Sequence, residues 1–309
     1  MGPPVFLGTP RVFRIRAIGG GFTLIELLVV VTVVGILASL LLPALSRSRA
    51  RADSAGCQSN LRQWGVAMRM HVDEHGSYPQ TLWSTNDAER QGVSLFWWSQ
   101  LSSYIGGPGT DGQIYNSPFF TGTNSQFGVH LCPGLQRLLR LPPGHWAGCY
   151  GYNEAGVSYQ MDRAGLLGLG GELVARSPLV FRAIKESEVP APSQSIAMGD
   201  AALGWFEFPT APKGLPREGV APVPALGPFN LAVARQLGGY SGMQIDLPLR
   251  TTIDAINRRH SSRWNTLFCD AHVESRQGAQ LFDVRRDAVL RDWNRDNLPH
   301  RDLAMPWVP

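Results

Sequence analysis

The side chains best suited to chemistry lie near the C-terminus: His260, Asp270 and His272. On a β-strand, residues two apart share a face, so Asp270 and His272 would converge on a strand that reached both. Two imidazoles and a carboxylate form a donor set for zinc or non-haem iron, as in a metal hydrolase. The competing reading is structural. Aspartate is a turn residue whose carboxylate bonds nearby backbone N–H groups, and His260 would donate into the same hairpin. The chain contains no HExxH, GxSxG or P-loop pattern. Asp200 and Glu207 stand isolated, with no Asp/Asn run at calcium-loop spacing. The structural reading is preferred: no catalytic residue, no metal and no cofactor are expected.

Four cysteines, Cys57, Cys132, Cys149 and Cys269, allow three pairings. A Cys57–Cys132 bridge would tie two distant segments together, and Cys132–Cys149 would close a short loop. Free, buried thiols are an equal alternative. No CxxC pair appears, so zinc is not indicated.

Glu26 is the residue most out of place. It sits near the start of Leu24–Leu42, a run whose other polar members are Thr32 and Ser39. A helix of this length reaches about 28 Å, close to the ~30 Å hydrocarbon core of a bilayer. Apolar residues surround it on all sides, which suits lipid better than one globular face. A secretory signal peptide has a shorter apolar region, ~7–15 residues, and no carboxylate at its start. A charge in such a segment calls for a partner charge. Arg11, Arg14 and Arg16 precede the span and Arg47, Arg49 and Arg51 follow it, so flanking charge does not set its orientation.

Gly21-Phe22-Thr23-Leu24-Ile25-Glu26, behind a basic leader and before the apolar run, resembles the prepilin cleavage and methylation motif of type IV pilins and type II secretion pseudopilins. The resemblance implies processing between Gly21 and Phe22 by a prepilin peptidase, N-methylation of Phe22, and pairing of Glu26 with the N-terminal amine of a neighbouring subunit. Further motifs resemble a subgroup with large, loop-rich C-terminal domains and an H-x9-DG ending. They are Cys57-Gln58-Ser59-Asn60-Leu61-Arg62-Gln63-Trp64-Gly65, Leu131-Cys132-Pro133, Tyr150-Gly151-Tyr152-Asn153, and His260 followed by Asp270. This chain has Ala271 where that subgroup has glycine.

The elements that position these residues can be read in outline. Cys57, Leu61, Trp64, Met68 and Val72 recur at helical spacing and form one apolar stripe. Pro43 falls inside the same helix, where it removes a hydrogen bond and favours a kink. Gly76 and Pro79 stop the helix. Short strands are expected at 195–198, 265–269 and 272–276. The last two would flank a two-residue Asp270-Ala271 turn, in which Ala271 at positive φ would cost about 1 kcal/mol. Loops are expected at 106–116 and 209–228, and a solvated surface helix at 283–297.

The 309 residues suffice for about two domains. With 44% apolar and 17% charged residues the chain is neither disordered nor polytopic, and a net charge of +4 does not call for nucleic acid. The expected fold is α+β, a long N-terminal helix packed on a loop-rich antiparallel β domain. A basic leader covers 1–21, the helix 22–78 with a membrane span at about 24–42, and an extracytoplasmic domain 79–309 with a hairpin at about 260–276. The expected function is a non-enzymatic pilus or pseudopilus subunit, single-pass in the inner membrane, its outer domain periplasmic or on the cell surface. Expected partners are the peptidase, other pilin or pseudopilin subunits, the inner-membrane assembly platform and lipid. The main alternative is a membrane-anchored binding module using Trp83, Trp97, Trp98 and Trp146; the metal hydrolase ranks below it.

Overall fold

A computed structural model describes residues 23–80, 97–105, 129, 132–134, 150–157, 167–176, 179–200, 203–207, 218–222 and 259–304. The chain divides into two compact units, Met1–Ser46 and Arg47–Pro309.

Helix α1 runs from Leu24 to His75 without a break at Pro43. Its start is a reciprocal cap. The Thr23 hydroxyl accepts from the Glu26 backbone N–H at 3.2 Å, and the Glu26 carboxylate accepts from the Thr23 N–H at 2.9 Å. This T-x-x-E arrangement satisfies two otherwise orphan donors. The helix ends at Gly76, whose φ of +68° favours glycine and whose N–H reaches the Val72 carbonyl at 2.7 Å.

In the first unit the described helix residues are exposed, from Leu24 to Leu45. Its hydroxyls are satisfied internally. Thr32 donates to the Val29 carbonyl, Ser39 to Ile36 and Ser46 to Pro43, at 2.7–2.9 Å. These side chains therefore present no unpaired donor to an apolar medium.

The second unit is built on the rest of α1. Cys57, Leu61, Trp64, Met68 and Val72 are all buried, as the helical spacing requires. They join the core of a four-stranded antiparallel sheet of β1 (Tyr150–Tyr152), β4 (Ile196–Asp200), β7 (Arg263–Phe268) and β8 (Val273–Gln277), in that order. Two hairpins stand apart, β2 (Glu172–Arg176) with β3 (Leu179–Arg182), and β5 (Leu203–Glu207) with β6 (Glu218–Pro222). Thus β6 lies inside the segment expected to be a loop at 209–228; its five-residue register with β5 outweighs the proline content. Short helices α2 (Trp97–Leu101), α3 (Gly278–Phe282) and α4 (Asp287–Trp293), with 3-10 turns at Ser102–Ile105, Glu186–Glu188 and Arg259–Ser261, complete the described elements.

The segment expected as a solvated surface helix is shorter and half buried. Helix α4 buries Val289, Leu290 and Trp293, and the Trp293 indole N–H donates to the Leu281 carbonyl. Asn153, at the end of β1, joins three elements. Its amide donates to the carbonyls of Ile196 and Trp293 at 2.7 and 2.8 Å and accepts from the Gly156 N–H at 3.1 Å.

The C-terminal hairpin forms, with one residue more in its loop than expected. Ala271 N–H bonds the Phe268 carbonyl at 2.9 Å and Phe268 N–H bonds the His272 carbonyl at 3.0 Å. This is a three-residue loop, a β-turn followed by Ala271 at φ +72°. Ala271 therefore occupies the left-handed position that favours glycine. The turn rests on α1 at Gly65. A Cβ there would lie 2.9 Å from Leu267 Cδ1 and 3.1 Å from the Ala271 methyl.

Candidate functional site

Gly21 and Phe22 lie outside the described residues. Glu26 is exposed one turn into α1, its carboxylate held by the Thr23 N–H and hydroxyl at 2.9 and 2.8 Å. From Leu24 to Leu42 the large apolar side chains are between half and four-fifths exposed. The helix is long and apolar enough to cross a membrane. A surface of this kind needs lipid or other apolar helices around it.

His260, Asp270 and His272 do not form one site. Asp270 and His272 sit on the hairpin turn, about one-third exposed, and bond each other at 2.5 Å. Asp270 also accepts from the His272 backbone N–H at 3.1 Å, the turn role that the sequence favours. The His272 ring stacks on Phe268 at 4.3 Å. His260 is buried at the other end of β7, and six strand residues span about 20 Å.

His260 instead joins a second cluster. Cys57 on α1, Cys132, Asp200 at the end of β4 and His260 before β7 bring one donor atom each within 4.8 Å of one another, all buried. The two sulfurs are 2.7 Å apart, Cys132 Sγ is 3.3 Å from His260 Nε2, and His260 Nε2 is 3.6 Å from Asp200 Oδ2. Asp200 also accepts from the Asn265 backbone N–H at 2.7 Å. Gly134 lies so close to the His260 ring that a Cβ there would meet Cε1 at 3.1 Å.

The backbone at His260 is itself unusual. His260, Ser261 and Ser262 have φ of +51°, +59° and +65°. Each non-glycine residue in this region costs on the order of 1–2 kcal/mol. The fold bears that cost and in return directs the His260 ring inward.

The cluster polarises its members. Burial opposes ionisation of Asp200, but the nearby Arg259 charge and the bond from His260 hold it below the usual carboxylate range. Burial likewise disfavours the His260 cation, yet bonding to Asp200 and Cys132 raises it to about 9. Burial and the bond to Cys132 push Cys57 far up, so Cys57 keeps its proton. Burial opposes ionisation of Cys132 too, but bonds from Cys57 and His260 bring it down to about 6.

Sequence reasoning misses Asp200 as a member, pairs Cys57 with Cys132 only as one of the possible disulfides, and places His260 in a different group. The four residues come from four segments with no short spacing to connect them. Cys57, Cys132 and Cys269 are buried, and Cys149 lies outside the described residues. Trp97 is buried against Trp64 and Tyr152. Trp83, Trp146 and the Trp98 side chain are outside the described residues.

Comparison with known proteins places the first of these two features. The profile of the prokaryotic N-terminal methylation motif matches residues 20–42. The N-terminus carries a prepilin-type methylation motif. The chain is 35% identical over 68 residues to the type IV major pilin protein PilA of Myxococcus xanthus, covering 22% of this chain and 31% of that one. It is 36% identical over 61 residues to the type II secretion system core protein G of Pectobacterium carotovorum, and 38% identical over 61 residues to that of Klebsiella pneumoniae. Those matches cover 20% of this chain and 39% and 44% of the relatives. The chain thus spans about a third to under half the length of these relatives. No solved structure matches significantly.

Proposed function

We propose that this chain is a prepilin-like structural subunit of a type IV pilus or a type II secretion pseudopilus. A prepilin peptidase cleaves after Gly21 and Phe22 is N-methylated. Residues 1–21 are the leader, 22–78 the assembly helix and 79–309 the outer domain, periplasmic or on the surface. The partners are the peptidase, other pilin or pseudopilin subunits and an inner-membrane assembly platform. The chain is the substrate of an enzyme and not one itself.

One observation carries this reading. The methylation motif runs directly into a helix whose large apolar side chains are exposed from Leu24 to Leu42, with one carboxylate, Glu26, near its start. In a bilayer such a helix is solvated by lipid. In a fibre, neighbouring helices replace the lipid. A carboxylate in that packed layer is stable only beside an opposite charge, which the methylated amine of a neighbouring Phe22 supplies. In the single chain the Thr23 cap occupies the same carboxylate. Assembly therefore exchanges a local cap, worth about 1 kcal/mol, for an intermolecular ion pair.

The test is recovery of the chain in sheared fibre fractions with and without Glu26→Val. The subunit reading expects wild-type chain in the fibre and the variant confined to the membrane. A variant that assembles like wild type would overturn it and leave α1 as a plain anchor.

A further inference from the structure

We propose that Cys57, Cys132, Asp200 and His260 form a closed structural site for a zinc-class divalent metal ion. The site clamps α1 to the sheet of the second unit, and it stands independently of the pilin reading.

The donor set is the first argument. Two sulfurs, an imidazole nitrogen and a carboxylate oxygen are the ligand types of tetrahedral zinc. Here one of each required atom lies within 4.8 Å of the others, from four segments distant in sequence. His260 faces both neighbours with the same atom, Nε2, at 3.3 Å from Cys132 Sγ and 3.6 Å from Asp200 Oδ2. Zinc binds with Zn–S near 2.3 Å and Zn–N near 2.0–2.1 Å, so tetrahedral binding would part the sulfurs by about 1 Å from their 2.7 Å spacing.

Burial and charge are the second argument. The side chains of His260 and Asp200 are 0% exposed. Asp200 Oδ1 has no hydrogen-bond partner among the described residues. A disulfide between the two cysteines would use the sulfurs alone and would leave these groups without a purpose. A divalent ion displaces two protons from the cluster to solvent, so that Cys57 and Cys132 bind as thiolates, His260 as the neutral ring and Asp200 as the carboxylate. The resulting net charge of one negative unit is met by the buried Arg259 cation, whose field reaches both Asp200 and Cys132. The Asn265 N–H on Asp200 orients that ligand, as outer partners do in metal sites.

The left-handed turn at His260–Ser262 is the third. It is the device that aims the ring at the other three donors. Four protein donors with no exposed member leave no open position for substrate, so the site is structural and does not restore a hydrolase.

The experiment is metal analysis of the full-length chain, extracted from membranes in detergent without chelator, together with intact mass and thiol titration. About one zinc per chain is expected, with Cys57 and Cys132 titrating only after chelation. Cobalt loading should give thiolate-to-metal charge transfer and tetrahedral ligand-field absorption. His260→Ala and Cys57→Ser should lower zinc content at least about tenfold, and Asp200→Asn should weaken retention against chelator by about 10–100-fold. A chain lighter by two hydrogens with a Cys57–Cys132 linked peptide would overturn the proposal in favour of a disulfide. Reduced thiols that take up neither zinc nor cobalt would overturn it as well. Because wild type gives both negative results, misfolding of a variant does not shelter the claim.

Discussion

Gly65 sits where the C-terminal hairpin meets α1, and replacing it with alanine sets two known quantities against each other. Alanine in a helix interior is better than glycine by about 1 kcal/mol. The new methyl, however, would lie 2.9 Å from Leu267 Cδ1, 3.1 Å from the Ala271 methyl and 3.4 Å from Ala271 Cα. Leu267 Cδ1 ends a side chain, but Leu267 is fully buried and has little room to turn. Ala271 belongs to a turn fixed by two backbone bonds. Overpacking of this kind costs about 1–3 kcal/mol, so Gly65→Ala should destabilise by about 1 kcal/mol net. Ala271→Gly should act oppositely. It relieves a left-handed alanine, worth about 1–2 kcal/mol, at an unfolded-state entropy cost of about 0.4–1 kcal/mol. It also removes the methyl that Gly65→Ala would strike. The two changes should therefore couple by about 0.5–1 kcal/mol. Urea unfolding of the four proteins in detergent, followed by tryptophan fluorescence, to which the buried Trp64 contributes, measures the cycle. A Gly65→Ala protein as stable as wild type, or two effects that simply add, would refute the described packing.

Other expectations are equally direct. Glu26→Gln should keep the helix cap, since glutamine serves at that position, yet lose assembly; Thr23→Ala should lose about 1 kcal/mol of cap and still assemble. Fibre recovery of both variants separates the charge from the cap, and a Gln variant that assembles fully would contradict the ion pair. Asn153→Ala should cost about 3–5 kcal/mol by leaving two carbonyls and one N–H unpaired in the core; a loss below about 1 kcal/mol would mean the bonds are not made. His71 is lowered to about 4 by burial and then by the nearby His75. Its unfolded value is near 6.5, so the unfolded chain binds the extra proton between these values. Stability should therefore fall as pH drops from about 6.5 to 4, and less so in His71→Phe. Equal slopes in both proteins would show that His71 is not the cause.

The parts of the molecule legible in sequence are those set by local repetition. The apolar run and the stripe from Cys57 to Val72 define α1, because burial follows helical spacing there. The hairpin was visible in Asp270 and its flanking apolar residues. Its loop length was not, because the type of turn depends on Ala271 accepting positive φ under contact with Gly65. Strand β6 was obscured by proline, whose cost the pairing with β5 offsets. The buried cluster was least legible. The sequence offers Cys57–Cys132 only as one of three cysteine pairings, groups His260 with Asp270 and His272, and leaves Asp200 isolated. Only the β4–β7 pairing and the left-handed turn at His260 bring Asp200 and His260 together, and neither leaves a spacing signature.

The most direct test of the central claim is the intact mass of the native, membrane-extracted protein with mapping of its N-terminal peptide. The account predicts a chain that begins at N-methylated Phe22. A chain that keeps residues 1–21, or one that begins beyond the apolar run near Ala44, would contradict it.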